Sequence, residues 1–198
     1  MLLFLHAALA AEPSAAVRCF PELQACYEDG QETQLALNLC SHRASRICEA
    51  EREAVTARVG WRGDEARFDA AVAAWQTYRQ KRCDLRASAW EGGSGQPMVY
   101  HHCWAEMDMA RKEELMRLVR PANTPDLAAA DAKLNALWKQ VYKDAKPLLE
   151  VQRAWLAYRD AECAWEATLP GGEAKKDACL ASLTATRNVQ LAEDGEEP

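Results

Sequence analysis

The stretch QRAWLAYRDAECAWEATLPGGEAKKDACLASLTATR, residues 152–187, has the pattern of two helices joined by a tight turn. Apolar side chains recur at steps of three to five residues, the spacing of one side of a helix. They are Val151, Trp155, Tyr158 and Cys163. Pro-Gly-Gly at 170–172 breaks the pattern, and a second helical stretch carries Cys179 in its first turns. Because a tight turn makes the two helices antiparallel, we predict a Cys163–Cys179 disulfide.

The same unit occurs earlier in the chain, where Trp75–Cys83 matches Trp155–Cys163 at an offset of 80 residues and without a gap. The earlier copy contains Trp75, Tyr78, Arg79 and Cys83, and the later copy contains Trp155, Tyr158, Arg159 and Cys163. Gly92-Gly93 and Cys103 take the places of Gly171-Gly172 and Cys179. Arg111 then lies eight residues beyond Cys103, as Arg187 does beyond Cys179. The sequence therefore predicts a duplicated helical hairpin, with a Cys83–Cys103 disulfide in the first copy.

Composition favours an all-α protein of two related modules that form a small helical bundle. The chain has 198 residues, is rich in alanine and lacks runs of alternating β-branched residues. Lys and Arg total 24 against 30 Asp and Glu, a net charge of −6. Phosphate binding needs a basic face, so we expect no nucleic-acid partner. An acidic protein of this kind is suited to a cationic partner.

The eight cysteines indicate an oxidising compartment. The CxxC pairs typical of zinc sites are absent, and the spacings fit disulfides. Residues 1–11 contain a short apolar run ending in Ala8-Leu9-Ala10, which resembles a signal-peptide cleavage site. No Lys or Arg precedes the run, so a buried N-terminal helix is the alternative. We expect a periplasmic or secreted protein without stable membrane insertion, since no later stretch approaches about 18 apolar residues.

The first four cysteines have a nested arrangement. Cys19 and Cys26 are seven residues apart, and Cys40 and Cys48 are eight apart, which is two turns of one helix and too far for a bridge within it. Folding two helices back at the Glu28-Asp29-Gly30 turn predicts Cys26–Cys40 and Cys19–Cys48. The crossed pairing is the alternative.

Proline and charge patterns divide the chain into segments. A probable boundary, residues 121–125, contains two prolines and no helical periodicity. We predict a leader at 1–11, an N-terminal module at 12–120, a C-terminal module at 126–192 and an acidic disordered tail at 193–198.

The repeated aromatic and basic residues have a structural interpretation. At helical spacing beside cysteines, the Trp and Tyr side chains are expected in the core, with Trp61 and Trp90 the exposed ones. The arginines at 79, 111, 159 and 187 are expected to lock each hairpin through salt bridges or stacking, rather than to bind an anion.

Sequence motifs give no support for an enzyme. His101-His102-Cys103 contains metal-ligand residue types, but adjacent histidines point in different directions on a helix and Cys103 has a predicted partner. Every cysteine can be paired, which leaves no thiol nucleophile. No carboxylate pair in an apolar setting and no phosphate-binding Gly loop is evident. We therefore expect no catalytic residue, metal or cofactor.

These residues resemble the LprI-type lysozyme inhibitor domain. In the second half, the matching residues are Leu134, Asn135, Trp138, the run 152–160 with its Tyr158-Arg159-Asp160 triplet, Cys163, Gly171, Gly172, Cys179, Thr186 and Arg187. The first half looks like a diverged copy, matching at Gln34–Cys40, Trp75–Cys83, Gly92-Gly93 and Cys103. It departs in having Gln80 in place of the triplet's Asp, and it lacks Leu-Asn-x-x-aromatic before Gly60.

The resemblance implies an exported, disulfide-stabilised helical protein that inhibits lysozyme or another cell-wall hydrolase. An inhibitor with a net charge of −6 would be steered toward a cationic enzyme whose cleft holds two carboxylates. The loop candidates for contact are Trp61 and Arg62, with the Glu91–Pro97 turn as a shape element. The alternative is a periplasmic helical interaction or scaffold protein without an enzyme target.

Overall fold

The computed structural model describes the backbone of residues 19–28, 33–118, 124–142 and 146–196. The predicted leader and most of the predicted linker lie outside these residues. The described chain forms seven α-helices and a single 3₁₀ turn, with no strand. The helices are α1 (Cys19–Glu28), α2 (Gln34–Val59), α3 (Glu65–Ser88), α4 (Gln96–Arg117), α5 (Leu127–Val141), α6 (Lys146–Glu166) and α7 (Gly172–Glu196). The all-α prediction is confirmed.

Local sequence explains where several helices begin. Thr33, Asp64 and Asp126 each accept a hydrogen bond from the backbone N–H three residues later, which caps α2, α3 and α5. Pro147 is the second residue of α6, where a missing N–H costs nothing. Between α6 and α7, Gly171 and Gly172 have φ of 112° and 50°, a backbone conformation that favours glycine.

The two copies pack against each other through α3 and α6. These helices are antiparallel, because Arg67 near the start of α3 bonds to the carbonyl of Ala164 near the end of α6. Further along α3, Lys81 lies 3.6 Å from Glu150 near the start of α6. Around this central pair, α4 packs on α2 and α7 packs on α5. The copies are therefore related by an approximate twofold axis that passes between α3 and α6.

The repeated aromatic residues form the centre of the core. Trp75, Tyr78, Trp155 and Tyr158 are each 2% exposed. The Tyr78 and Tyr158 rings stack across the twofold axis, with centroids 6.0 Å apart and planes 8° apart. Trp90, expected at the surface, is 52% exposed, whereas the side chain of Trp61 lies outside the described part of the structure.

Four disulfides join the helices in the nested arrangement. They are Cys19–Cys48, Cys26–Cys40, Cys83–Cys103 and Cys163–Cys179. The first two bind α1 to α2, and the other two each close one hairpin near its turn. All eight cysteines are used, so no free thiol is present. None of the helices in the described residues combines the length and apolar character of a membrane span.

The predicted disordered tail differs from the structure. Helix α7 continues to Glu196, so residues 193–196 are helical. Leu191 is fully buried and anchors the preceding helical turn. Each residue after it can extend the helix by one backbone hydrogen bond without a new nucleation cost. The last two residues lie outside the described chain.

Candidate functional site

The repeated arginines of α4 and α7 tie the two copies together. Arg111 donates hydrogen bonds to the Tyr158 hydroxyl at 2.8 Å and to the Glu162 carboxylate at 2.7 Å, both on α6. Arg187 donates to the Tyr78 hydroxyl of the other copy at 3.3 Å and to Gln152 at 3.0 Å. The prediction that these arginines lock each hairpin is therefore incomplete, because both also cross the interface between copies. The twofold packing of α3 on α6 brings each arginine to the other copy's tyrosine.

The same tyrosine hydroxyls donate to a second pair of equivalent residues. Tyr158 donates to Glu114 at 2.6 Å, and Tyr78 donates to Gln190 at 2.6 Å. Burial raises the pKa of Tyr158 well above its ordinary value, and burial also raises the pKa of Glu114. The network is enclosed by helices. It is a structural centre rather than a site that a ligand can reach.

The arginines that follow the repeated tyrosines have diverged. Arg79 is buried between the Trp75 and Trp104 rings, 4.5 and 3.7 Å from their centroids, and bonds to Asp108 at 2.7 Å. This contact locks the α3–α4 hairpin, as predicted. Its counterpart Arg159 is partly exposed and bonds to the neighbouring Asp160 at 2.9 Å. Arg79 thus belongs to the core and Arg159 to the surface.

Several buried carboxylates were not anticipated from the sequence. Asp108, Glu162 and Glu166 are at most 1% exposed, and each bonds to at least one arginine. Asp108 also accepts from Arg52 at 2.7 Å. The sequence-based expectation concerned isolated carboxylate pairs, and it did not foresee these single buried carboxylates, which bond to arginines. Each of these residues occupies a core-facing position in the periodic pattern of its helix. That position is the one indication in the sequence that the side chain would be buried.

The predicted contact residues lie in a turn that is fixed to α6. Residues Gly60–Arg62 form the 3₁₀ turn between α2 and α3, and Arg62 is exposed. The backbone N–H of Asp64 donates to the Thr168 hydroxyl at 3.0 Å. A Cβ on Gly63 would lie 2.6 Å from that hydroxyl oxygen and 2.8 Å from the Trp165 indole nitrogen. Arg62 therefore extends from a turn whose backbone is held in place by close contacts with Trp165 and Thr168.

Two clefts flank this turn. The first, which we call the acidic cleft, has a volume of about 660 Å³ between α2 and α3. Its wall includes three exposed carboxylates, Glu53, Glu65 and Asp69, and its base includes Phe68 and Val72. Arg52 also lines it and lies 3.2 Å from Glu53, so the cleft has three acidic residues and one basic residue.

The second, the apolar cleft, has a volume of about 440 Å³. Five apolar side chains line it: Val59, Leu118, Trp165, Leu169 and Pro170. Arg62 and Lys175 also line it. It lies between the α2–α3 turn and the start of α7, so both copies contribute to it.

A buried ion pair involves the residue next to Trp165 in the chain. Glu166 accepts from Arg117 at 2.5 Å. Burial raises the pKa of Glu166 to about 7, and the Arg117 charge only partly opposes this. Burial therefore favours the protonated form of this carboxyl more than in an exposed glutamate.

The His101-His102-Cys103 stretch forms other contacts. Cys103 is in a disulfide, and His102 lies 3.0 Å from the Glu106 carboxylate. The His101 ring meets His42 edge-on at a centroid distance of 4.7 Å. Among the described residues, no group of three or more His, Cys, Asp or Glu side chains could hold a metal ion.

Fold and site together define a class of protein: a duplicated, disulfide-stapled helical hairpin with a buried polar centre and clefts at one end. A model of the family described as lysozyme inhibitor LprI matches residues 26–115 and 124–191. These two segments cover most of the chain, which therefore belongs to the LprI family.

Two further similarities are to an uncharacterised protein sequence and to a solved structure with the same fold. The chain is 31% identical over 106 residues to an uncharacterised protein of Rhizobium meliloti (strain 1021), a match that spans 46% of this chain and 76% of that protein. A crystal structure of an uncharacterised protein from Burkholderia thailandensis shares the fold, with a TM-score of 0.58 and 15% identity over 94% of this chain and 98% of that one.

Proposed function

We propose that this protein is an exported inhibitor that binds lysozyme or another cell-wall hydrolase. The observation that carries the proposal is the match of both halves of the chain to the lysozyme inhibitor LprI family. Four disulfides favour the periplasm or the cell exterior as its location. We also propose residues 12–120 and 126–192 as its two modules, because each half contains one matched segment.

Charge supports a cationic target. The chain carries a net charge of −6, and the three exposed carboxylates of the acidic cleft lie beside the proposed contact turn. Complementary charge raises the association rate of two proteins, and this increase becomes smaller as the salt concentration rises. A cationic hydrolase would therefore meet this end of the molecule faster than a neutral one would.

The turn supplies a contact group of matching chemistry. Arg62 extends from a turn whose backbone is bonded to Thr168, just beyond the end of α6, so little conformational freedom would be lost on binding. Lysozyme clefts hold two catalytic carboxylates. We propose that Trp61 and Arg62 contact the target and that the Arg62 guanidinium pairs with a carboxylate of its active site.

The test is titration of the oxidised protein against a c-type lysozyme while lysis of a cell-wall suspension is followed. We expect stoichiometric inhibition at low salt that weakens at physiological salt, because screening reduces the steering. Lack of inhibition by folded protein with all four disulfides would contradict the proposal.

The contact turn is tested with a matched pair of variants. Arg62→Ala should weaken inhibition about tenfold or more, because it would leave a carboxylate of the target without its partner. The control is Arg153→Ala, since Arg153 is 66% exposed near the opposite end of α6. If both variants inhibit as well as the parent protein, the turn does not form the contact.

One observation favours the alternative, a helical interaction protein without an enzyme target. Leu35 and Leu39, near the start of α2, are 67% and 62% exposed, and Trp90 at the end of α3 is 52% exposed. They lie roughly 30–40 Å along the helices from the contact turn. Exposed apolar side chains of this size can mark a partner surface. A Leu35→Ser/Leu39→Ser variant that inhibits lysozyme normally would separate this surface from the inhibitory one.

A further inference from the structure

We propose that the apolar cleft binds an amphipathic carboxylate, a ligand with an acyl or aromatic body and one carboxylate group. The hydrocarbon would lie against Leu118, Leu169 and Pro170, and the carboxylate would lie beside Lys175. This binding activity is separate from inhibition of a hydrolase and does not depend on it.

The size and lining of the cleft fit a small apolar ligand. Its volume of about 440 Å³ falls in the range of roughly 300–1,000 Å³ that ligand sites occupy. Among its apolar lining residues, Pro170 is exposed and Leu118 is half-buried, and Leu169 is 8% exposed beside the fully buried Trp165. Burial of an acyl chain against such a surface contributes about 0.8 kcal/mol per CH₂ group.

The charged side chains of the cleft select an anion. The chain is acidic overall, yet the two charged residues that line this cleft, Arg62 and Lys175, are both basic. Lys175 makes no ion pair with any described residue, whereas its neighbour Lys176 lies 3.5 Å from Glu173. Glu166 is occupied by Arg117 and does not neutralise Lys175. A bound carboxylate would give Lys175 an ion-pair partner.

The start of α7 adds to this preference. The residue before the helix is Gly171, which has no side chain to accept hydrogen bonds from the first backbone N–H groups. The positive end of the helix dipole therefore lies beside Pro170 and Lys175 at the cleft. An anion at this position is favoured by the helix end and by the lysine together.

The test compares three ligands that share an octyl chain but differ in the head group. Isothermal titration calorimetry of the full, oxidised chain is made with octanoate, 1-octanol and octyltrimethylammonium, each below its micelle concentration. We expect one molar equivalent of octanoate to bind, 1-octanol to bind about fivefold more weakly, and the cation to bind least. Equal affinity for the three ligands, or no binding of octanoate, would overturn the proposal.

Matched variants locate the site. Lys175→Ala should lower the affinity for octanoate about fivefold and leave the affinity for 1-octanol unchanged, whereas Lys176→Ala should change neither affinity. Leu169→Ala should weaken both ligands, with circular dichroism and disulfide mass analysis as checks of folding. If Lys175→Ala and Lys176→Ala weaken octanoate binding equally, octanoate does not bind in the apolar cleft. Lysozyme inhibition by the parent protein is measured separately, so failure of one proposal leaves the other intact.

Discussion

At the residue scale, the buried charges of this protein are held in small groups of opposite sign. Arg111 is 2% exposed and bonds to Glu162 and to the Tyr158 hydroxyl. Loss of one member would leave its partner charged and unpaired in the core, which typically costs about 3–5 kcal/mol. These groups therefore restrict which substitutions the core accepts, even though no ligand reaches them.

Glu166 gives the stability of the protein a defined pH dependence. Its folded-state pKa of about 7 lies above the usual value of about 4.3 for an unfolded glutamate, so the folded state binds the proton more tightly. The resulting stabilisation is fully present below about pH 4 and is lost as pH rises through 7. We expect the free energy of unfolding to fall by up to roughly 3 kcal/mol between pH 4 and 8 on account of this residue.

Urea unfolding at several pH values checks this expectation. Glu166→Gln, which cannot ionise, should lose less stability over that interval than the parent protein. Any slope that remains would include Glu114, whose pKa burial also raises. Glu113→Gln serves as the control because Glu113 is exposed on α4. An unchanged slope in Glu166→Gln would show that this carboxyl does not take up the proton.

At the scale of elements, the α2–α3 turn depends on close approach to the end of α6. Gly63 leaves room for Thr168 and Trp165, and the Asp64 N–H bonds to the Thr168 hydroxyl. The proposed contact turn and the apolar cleft share this junction. Its geometry is therefore linked to both proposed activities.

Gly63→Ala should destabilise the junction. The added Cβ would lie within 3 Å of side-chain atoms of Trp165 on α6 and of Thr168 just beyond it, and such overpacking costs about 1–3 kcal/mol. Thermal and urea unfolding measure the loss. Gly95→Ala is the comparison, since its Cβ would meet the half-exposed Trp90 ring at 3.3 Å and should cost less. Equal effects of the two substitutions would argue against a tight junction.

At the scale of the whole molecule, the two copies form one folding unit. The α3–α6 interface buries Trp75 and Trp155 and contains the stacked tyrosines, while Arg111 and Arg187 cross it. Separating the copies would expose aromatic surface and leave buried polar groups without partners. Each copy thus supplies part of the other's core.

We therefore expect one cooperative unfolding transition for the oxidised protein. Urea curves followed by far-UV circular dichroism and by tryptophan fluorescence should coincide, because both copies contain helices and tryptophans. Two separate transitions, or different midpoints by the two probes, would mean that the modules fold independently.

The sequence by itself determined the helical class, and it predicted the duplication and the nested disulfides with a crossed pairing as the alternative. Periodic Trp, Tyr and Cys residues specify one apolar side of a helix, and Gly-Gly turns specify the hairpins. These are local patterns within a few helical turns, and they can be read without knowledge of the partner helix. The inward position of Trp75 and Trp155 followed from the same spacing.

Only the tertiary structure decided which helices meet. The repeat did not reveal that α3 and α6 pack antiparallel, so the crossing of Arg111 and Arg187 to the opposite tyrosines was not foreseen. The apolar cleft is likewise built from residues distant in the chain, such as Val59, Leu118 and Lys175. Contacts between helices depend on how well two helix surfaces fit together. The spacing of residues along one helix does not specify which other helix packs against it.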